Sequence, residues 1–185
     1  MCYFALTMFP KSADWLHLQQ ICTSKNVQLS TISNASLSAQ LRDVQIALIL
    51  IGNEPCHCNS AIGRLNKATS NPSFDLEKEK QKLKRKGWSD SKIERSLAEK
   101  LAAHGRSEEK NSLADAAEIE KWVELFSSTA KELPTEEISL LLHVYTGDIE
   151  QEEVSIEARH TLTIEGCRSG DLLTVATDEL YSLRF

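Results

Sequence analysis

Residues 44–51 read VQIALILI, seven of the eight apolar. A run this apolar and this rich in β-branched residues has to be withdrawn from water on both faces. It is too short to cross a bilayer, since a spanning helix needs about 20 such residues. It therefore calls for a sheet with neighbours on either edge, and the rest of the chain must supply them.

Several segments can. CYFALTMF (2–9) is apolar and aromatic, reads as a second strand buried on both faces, and is closed by Pro10. VQLSTIS (27–33) alternates, with Val27, Leu29 and Thr31 on one side, as a half-buried strand does. Between them Ser12 can cap a helix, Asp14 suits the positive end of its dipole, and Trp15, Leu18 and Cys22 share a face. After the central strand the chain turns helical. LEKEKQKLKRKG (76–87) stops at Gly87, and Ser91 with Glu94 forms a capping box for a second helix carrying Ile93, Leu97 and Leu101. Trp88 lies in the joint. HGRSEEKNS breaks the pattern, and a third helix runs from about Leu113 to Leu133, ended by Pro134. ISLLLHVYTG (138–147) returns to strand character, followed by shorter strands in RHTLTIEG (159–166), DLLTVAT (171–177) and LYSLRF (180–185), with CRSG as a turn.

The order is β-α-β-β-[α-α-α]-β-β-β. Without the tail it matches the ferredoxin-like βαββαβ order, in which helices cover one face of an antiparallel sheet. The expected fold class is thus α+β: one domain over 1–185, a multi-helix excursion over about 64–133 in the second helical slot, and acidic C-terminal strands over 138–185. At 185 residues and 41% hydrophobic, the chain suits a single core.

Charge is uneven. The total is −6, but residues 132–185 hold twelve acidic and three basic side chains, a net of −9. That total disfavours general attraction to nucleic acid. The apolar N-terminal run has no basic residue ahead of it and no small-residue cleavage site, so it does not read as a signal peptide. No segment reads as membrane-spanning. Five cysteines, an odd number, give no disulfide framework and fit reduced thiols in the cytoplasm. Cys2 and Cys22 fall in apolar periodic segments and read as small buried hydrophobes.

The sharpest chemical question is NEPCHCNSAIG (53–63). Cys56, His57 and Cys58 are thiol and imidazole donors suited to zinc, the one cofactor these residues suggest, but a structural site takes four ligands. No second cysteine pair exists, so His143, His160 and Cys167 are the candidates to complete it. Alternatively, Asn59 or Ser60 caps a short helix over 61–67, and its N-terminus favours a thiolate at Cys56 or Cys58, with His57 as base. The plain alternative is a tight turn whose thiols pack beneath Pro55 and Ile62.

KEKQKLKRK (78–86) carries six positive residues and one negative, spread around a helix rather than in a stripe. It reads as a solvated face, and nucleic-acid contact through it is the lesser reading. His143 shares a strand face with Leu141 and Tyr145, and the acidic run 148–157 lacks the spacing of a calcium loop, so it reads as solvated. No phosphate-binding glycine loop, G-x-S-x-G or H-E-x-x-H motif occurs. The leading functional expectation is a non-catalytic protein that binds another macromolecule, or a second copy of itself, through the excursion, with Lys82, Arg85, Lys86, Trp88 and Trp122 on the contact surface. The competing expectation is a thiol- or metal-dependent enzyme centred on Cys56, His57 and Cys58.

Overall fold

VQIALILI forms strand β3 (Val44–Ile51), and it has the two neighbours its apolarity requires. In the computed structural model, which describes residues 1–51, 55–68, 76–132 and 138–185 (backbone alone for 65–68 and 103–112), β3 lies between β2 (Val27–Thr31) and β1 (Cys2–Pro10). Three more strands extend the sheet: β4 (Ile138–Tyr145), β5 (Ala158–Thr163) and β6 (Glu179–Arg184). The spatial order is β2-β3-β1-β4-β6-β5, antiparallel throughout except for the parallel β5–β6 pair. The protein is α+β, and its acidic C-terminal strands join the main sheet.

The sheet has six strands where a ferredoxin-like order alone has four, and a short helix α2 (Ala35–Gln40) stands between β2 and β3 where none was expected. The tail adds two more strands because Leu180 and Leu183 on β6 bury themselves beside β4. β2 and β5 are then the two edge strands of the sheet. Two tail segments read as extended are helical. IEGCRS is helix α6 (Ile164–Ser169), capped by Thr163 at its start and closed by left-handed Gly170. DLLT is a 3-10 turn over Asp171–Thr174, whose three-residue period sets Leu172 and Val175 together in the core.

One face of the sheet is covered by α1 (Trp15–Ser24), α3 (Ala61–Ala68), the end of α5 (Asp90–Glu132) and α6. Trp122, Val123 and Phe126 of α5 pack there on Ala5, Phe9, Ile49 and Leu142. Asp14, not Ser12, caps α1, accepting from the N–H of His17 at 3.1 Å. The opposite face, with Leu6, Met8, Leu141 and Tyr145, is covered by α2 (Ala35–Gln40) and by residues 146–157. The acidic run is therefore not simply solvated: Ile149, Val154 and Ile156 pack against this second core. Asn34, 1% exposed, caps α2 through Oδ1 and donates from Nδ2 to the carbonyls of Ile149 and Glu152, pinning the two covers together.

The excursion is two helices beyond α3. Residues 90–132 are a single helix, so HGRSEEKNS does not break it. A glycine inside a helix costs about 1 kcal/mol relative to alanine, which strong helix formers on either side offset. At 1.5 Å per residue α5 is about 65 Å long. Its first part pairs with α4 (Leu76–Arg85) around Leu83, Ile93 and Leu97, with Trp88 against them. This is a third core, separate from the two on the sheet. Pro134 lies outside the described residues. Among those described, no helix is long and apolar enough to cross a membrane.

Candidate functional site

The CHC stretch sits where β1 and β3 part. Their antiparallel pairing stops at Leu6–Leu48, and the next rung in that register would join Ala5 to Ile49. His57 takes the place of that rung. Its Nδ1 accepts from the Ala5 N–H at 3.0 Å, and its Nε2 donates to the Ile49 carbonyl at 2.8 Å. This fixes the neutral Nε2–H tautomer. The ring is 3% exposed and lies 5.9 Å, centroid to centroid, from Trp122. Burial, only partly opposed by the bond to Ile49, pushes its pKa down to about 4.

The neighbours of His57 continue the substitution. Its N–H donates to the Tyr3 carbonyl at 2.8 Å, and the Tyr3 N–H donates to Cys58 Sγ at 3.3 Å. Residues 57 and 58 thus act as a short segment alongside β1, satisfying groups that β3 has left behind. The His57 carbonyl accepts from both the N–H and Oγ of Ser60, whose Oγ in turn accepts from the Gly63 N–H and caps α3. A Cβ on Gly63 would run into the His57 carbonyl, so glycine is required by this close approach. Glu118 on α5 accepts from the Ala61 N–H at 2.8 Å, and Arg64 pairs with Asp115. The loop is clamped from both sides.

Clamping brings together three sulfurs. Sγ atoms of Cys2, Cys56 and Cys58 all lie within 4.8 Å of one another, and each residue is half-buried. None of the five cysteines is joined in a disulfide. Burial first, and then the neighbouring thiols Cys58 and Cys2, raise the pKa of Cys56, although the Cys58 backbone N–H opposes this. Three mutually close thiols on two chain segments can present three soft donors to one cation. His57 cannot join them as ligand or act as base, because both ring nitrogens are spent on the backbone.

The distant candidates do not join the cluster. Cys167 is fully buried in α6, packed in the helical-face core. His143 lies on the opposite face, between Asp178 on Nδ1 and Glu152 at 3.7 Å from Nε2, its ring 4.5 Å from that of Tyr145. His160 is on β5, where Nε2 meets Glu179 at 2.8 Å. The residue that sequence reasoning missed is Cys2, read as a packing thiol. The signal was topological: in an antiparallel pair, the start of β1 lies beside the end of β3, and CHC follows β3.

Of the residues expected on a contact surface, Lys82 and Arg85 on α4 and Lys86 in the turn after it are exposed and border a shallow cleft with Lys78 and Gln81. Trp88 is half-buried, with the Lys92 ammonium 4.2 Å over its ring. Trp122 is a correction: it is fully buried in the main core and presents nothing to a partner. Compared with protein-family models, with curated proteins and with solved structures, the chain matches none of them.

Proposed function

We propose that the protein binds a soft metal cation through Cys2, Cys56 and Cys58. The observation that carries this reading is the mutual approach of the three sulfurs, within 4.8 Å. Thiolates select zinc and monovalent copper over hard cations. Three protein donors suit a three-coordinate copper(I), or a zinc ion that keeps one position for water or substrate. The raised pKa of Cys56 means that its sulfur is protonated in the empty site at neutral pH. Metal entry then releases protons, and apparent affinity rises with pH. A reducing compartment such as the cytoplasm keeps the thiols available.

Anaerobic titration with copper(I) and with zinc, followed by thiolate-to-metal absorbance, tests this reading. One ion should bind per chain, and Cys2→Ser, Cys56→Ser and Cys58→Ser should each weaken binding at least tenfold. Stoichiometry unaffected by all three substitutions, or no binding at micromolar protein, refutes it.

A second reading rests on the separate α4–α5 core. That arm leaves Leu101 45% and Leu113 70% exposed, which favours a role in docking a protein partner or a second copy. Light scattering of the full chain and of a Leu101→Glu, Leu113→Glu variant tests self-association, and a monomer in both dismisses it. The β2-β3-β1-β4 part of the sheet, four of its six strands, is proposed as a ferredoxin-like unit with an added edge, a reading supported by the antiparallel pairing of those strands and by α1 and α5 on one face of them.

A further inference from the structure

The acidic region 132–185 holds three basic side chains, Arg159, Arg168 and Arg184. Two of the three converge. Arg168, in the last turn of α6, and Arg184, at the end of β6, border a cleft of about 560 Å³ together with Lys131 from the last turn of α5. Among the described residues none of these three cations takes part in an ion pair, and Glu165 is the acidic side chain on the lining. Like charges gathered without carboxylate partners repel one another, in a molecule whose net charge of −6 offers many acidic groups to pair with.

The rest of the lining is of a different kind. Ala130, Ile164 and Phe185 provide an apolar wall. Ser127 adds a hydroxyl that is buried yet has no hydrogen-bond partner. A buried hydroxyl left without a partner costs roughly 1–3 kcal/mol, so this one has an unused capacity to donate. Cleft size falls in the usual range for small-molecule sites, about 300–1,000 Å³, and so does the combination of an apolar body with a few polar groups.

We infer that this cleft binds a small amphipathic anion, an acidic head on a short acyl chain or a single aromatic ring. The guanidinium groups of Arg168 and Arg184 take the head, since their planar forks match carboxylate and phosphate oxygens. Lys131 adds a point charge. The apolar part lies against Ile164 and Phe185, with Ser127 donating to a ligand oxygen. This site is separate from the thiol cluster: it is built from the far ends of α5 and β6, and its occupancy does not depend on metal.

Calorimetric titration with octanoate, octyl phosphate, octanol and acetate tests the assignment and separates the two head groups. One octyl anion per chain should bind, with octanol and acetate at least tenfold weaker. Whichever of octanoate and octyl phosphate binds tighter identifies the head. Arg168→Gln and Arg184→Gln, both at exposed positions, should each weaken binding about tenfold, and Arg→Lys at the same sites should recover part of it. Octanol binding as tightly as the anions overturns the inference. So does an affinity unchanged by both Gln substitutions, or no binding of either octyl anion at millimolar concentration.

Discussion

Two groups of cysteines share this fold and have little else in common. Cys22 and Cys167 are buried in the helical-face core, and burial pushes both thiols up to about 11. For Cys167 the carboxylate of Asp171 adds to the effect. They behave as small apolar side chains. Cys2, Cys56 and Cys58 sit half-exposed at the split between β1 and β3, facing one another. The difference comes from what holds each group. Helix packing places the first pair, and a wedge of hydrogen bonds centred on a neutral histidine places the second. Burial alone makes a thiol inert, while the proposed metal ligands are thiols gathered where backbone elsewhere spends hydrogen bonds to fix them.

If the His57 wedge is what gathers the cluster, removing it should have the largest effect. His57→Ala leaves the Ala5 N–H and Ile49 carbonyl unpaired and opens a cavity, so stability in urea should fall by about 3–5 kcal/mol. Metal binding should weaken alongside it. A loss below about 1 kcal/mol would mean that β1 and β3 hold together unaided, and the distinction between the two groups would collapse.

Acid should reproduce most of that effect. The folded-state pKa of His57, about 4, lies below its ordinary 6.5, so the unfolded chain takes up the proton first as pH falls. The stabilisation is complete above about pH 6.5 and is lost on the way down through about 4, a total of about 3 kcal/mol. Denaturation midpoints at pH 7, 5.5 and 4 measure it. A His57→Gln variant should lack this component of the slope, and an identical slope in that variant would assign the acid sensitivity to other groups.

The smallest contrast lies between the thiols themselves. Cys167→Ser places a hydroxyl in an apolar core and should cost about 2 kcal/mol. Cys56→Ser, half in solvent, should cost about 0.5 kcal/mol or less. Equal losses would show that the two environments are not distinct.

How much of this was legible in the sequence depends on the range of the signal. VQIALILI announced a central strand because a run that apolar, and too short to cross a bilayer itself, is buried only between neighbouring strands. α6 was misread although Thr163 and Gly170, its two caps, are ordinary terminus signals. Alternation in RHTLTIEG masked them. HGRSEEKNS was read as a break because local polarity says nothing about helical momentum from the flanking alanine- and glutamate-rich turns. At the site, Ser60 as cap and Gly63 as the close of the stretch could be read locally. His57 as a replacement rung and Cys2 as third sulfur could not, because both depend on which strands become neighbours. The unpaired cleft arginines are likewise separated in sequence and meet only through the sheet.

The position of β1 has a consequence for how the chain is made. β1 pairs with β3 on one side and with β4 on the other, and β4 begins 128 residues after β1 ends, from Pro10 to Ile138. At a synthesis rate of about 5–20 residues per second, the nascent chain holds one edge of an apolar strand open for roughly ten seconds. Of what emerges in the interval, α4 and the first part of α5 can pack on each other around Leu83, Ile93 and Leu97 with no distant partner, while Trp122, Val123 and Phe126 at the end of α5 have the sheet face to cover.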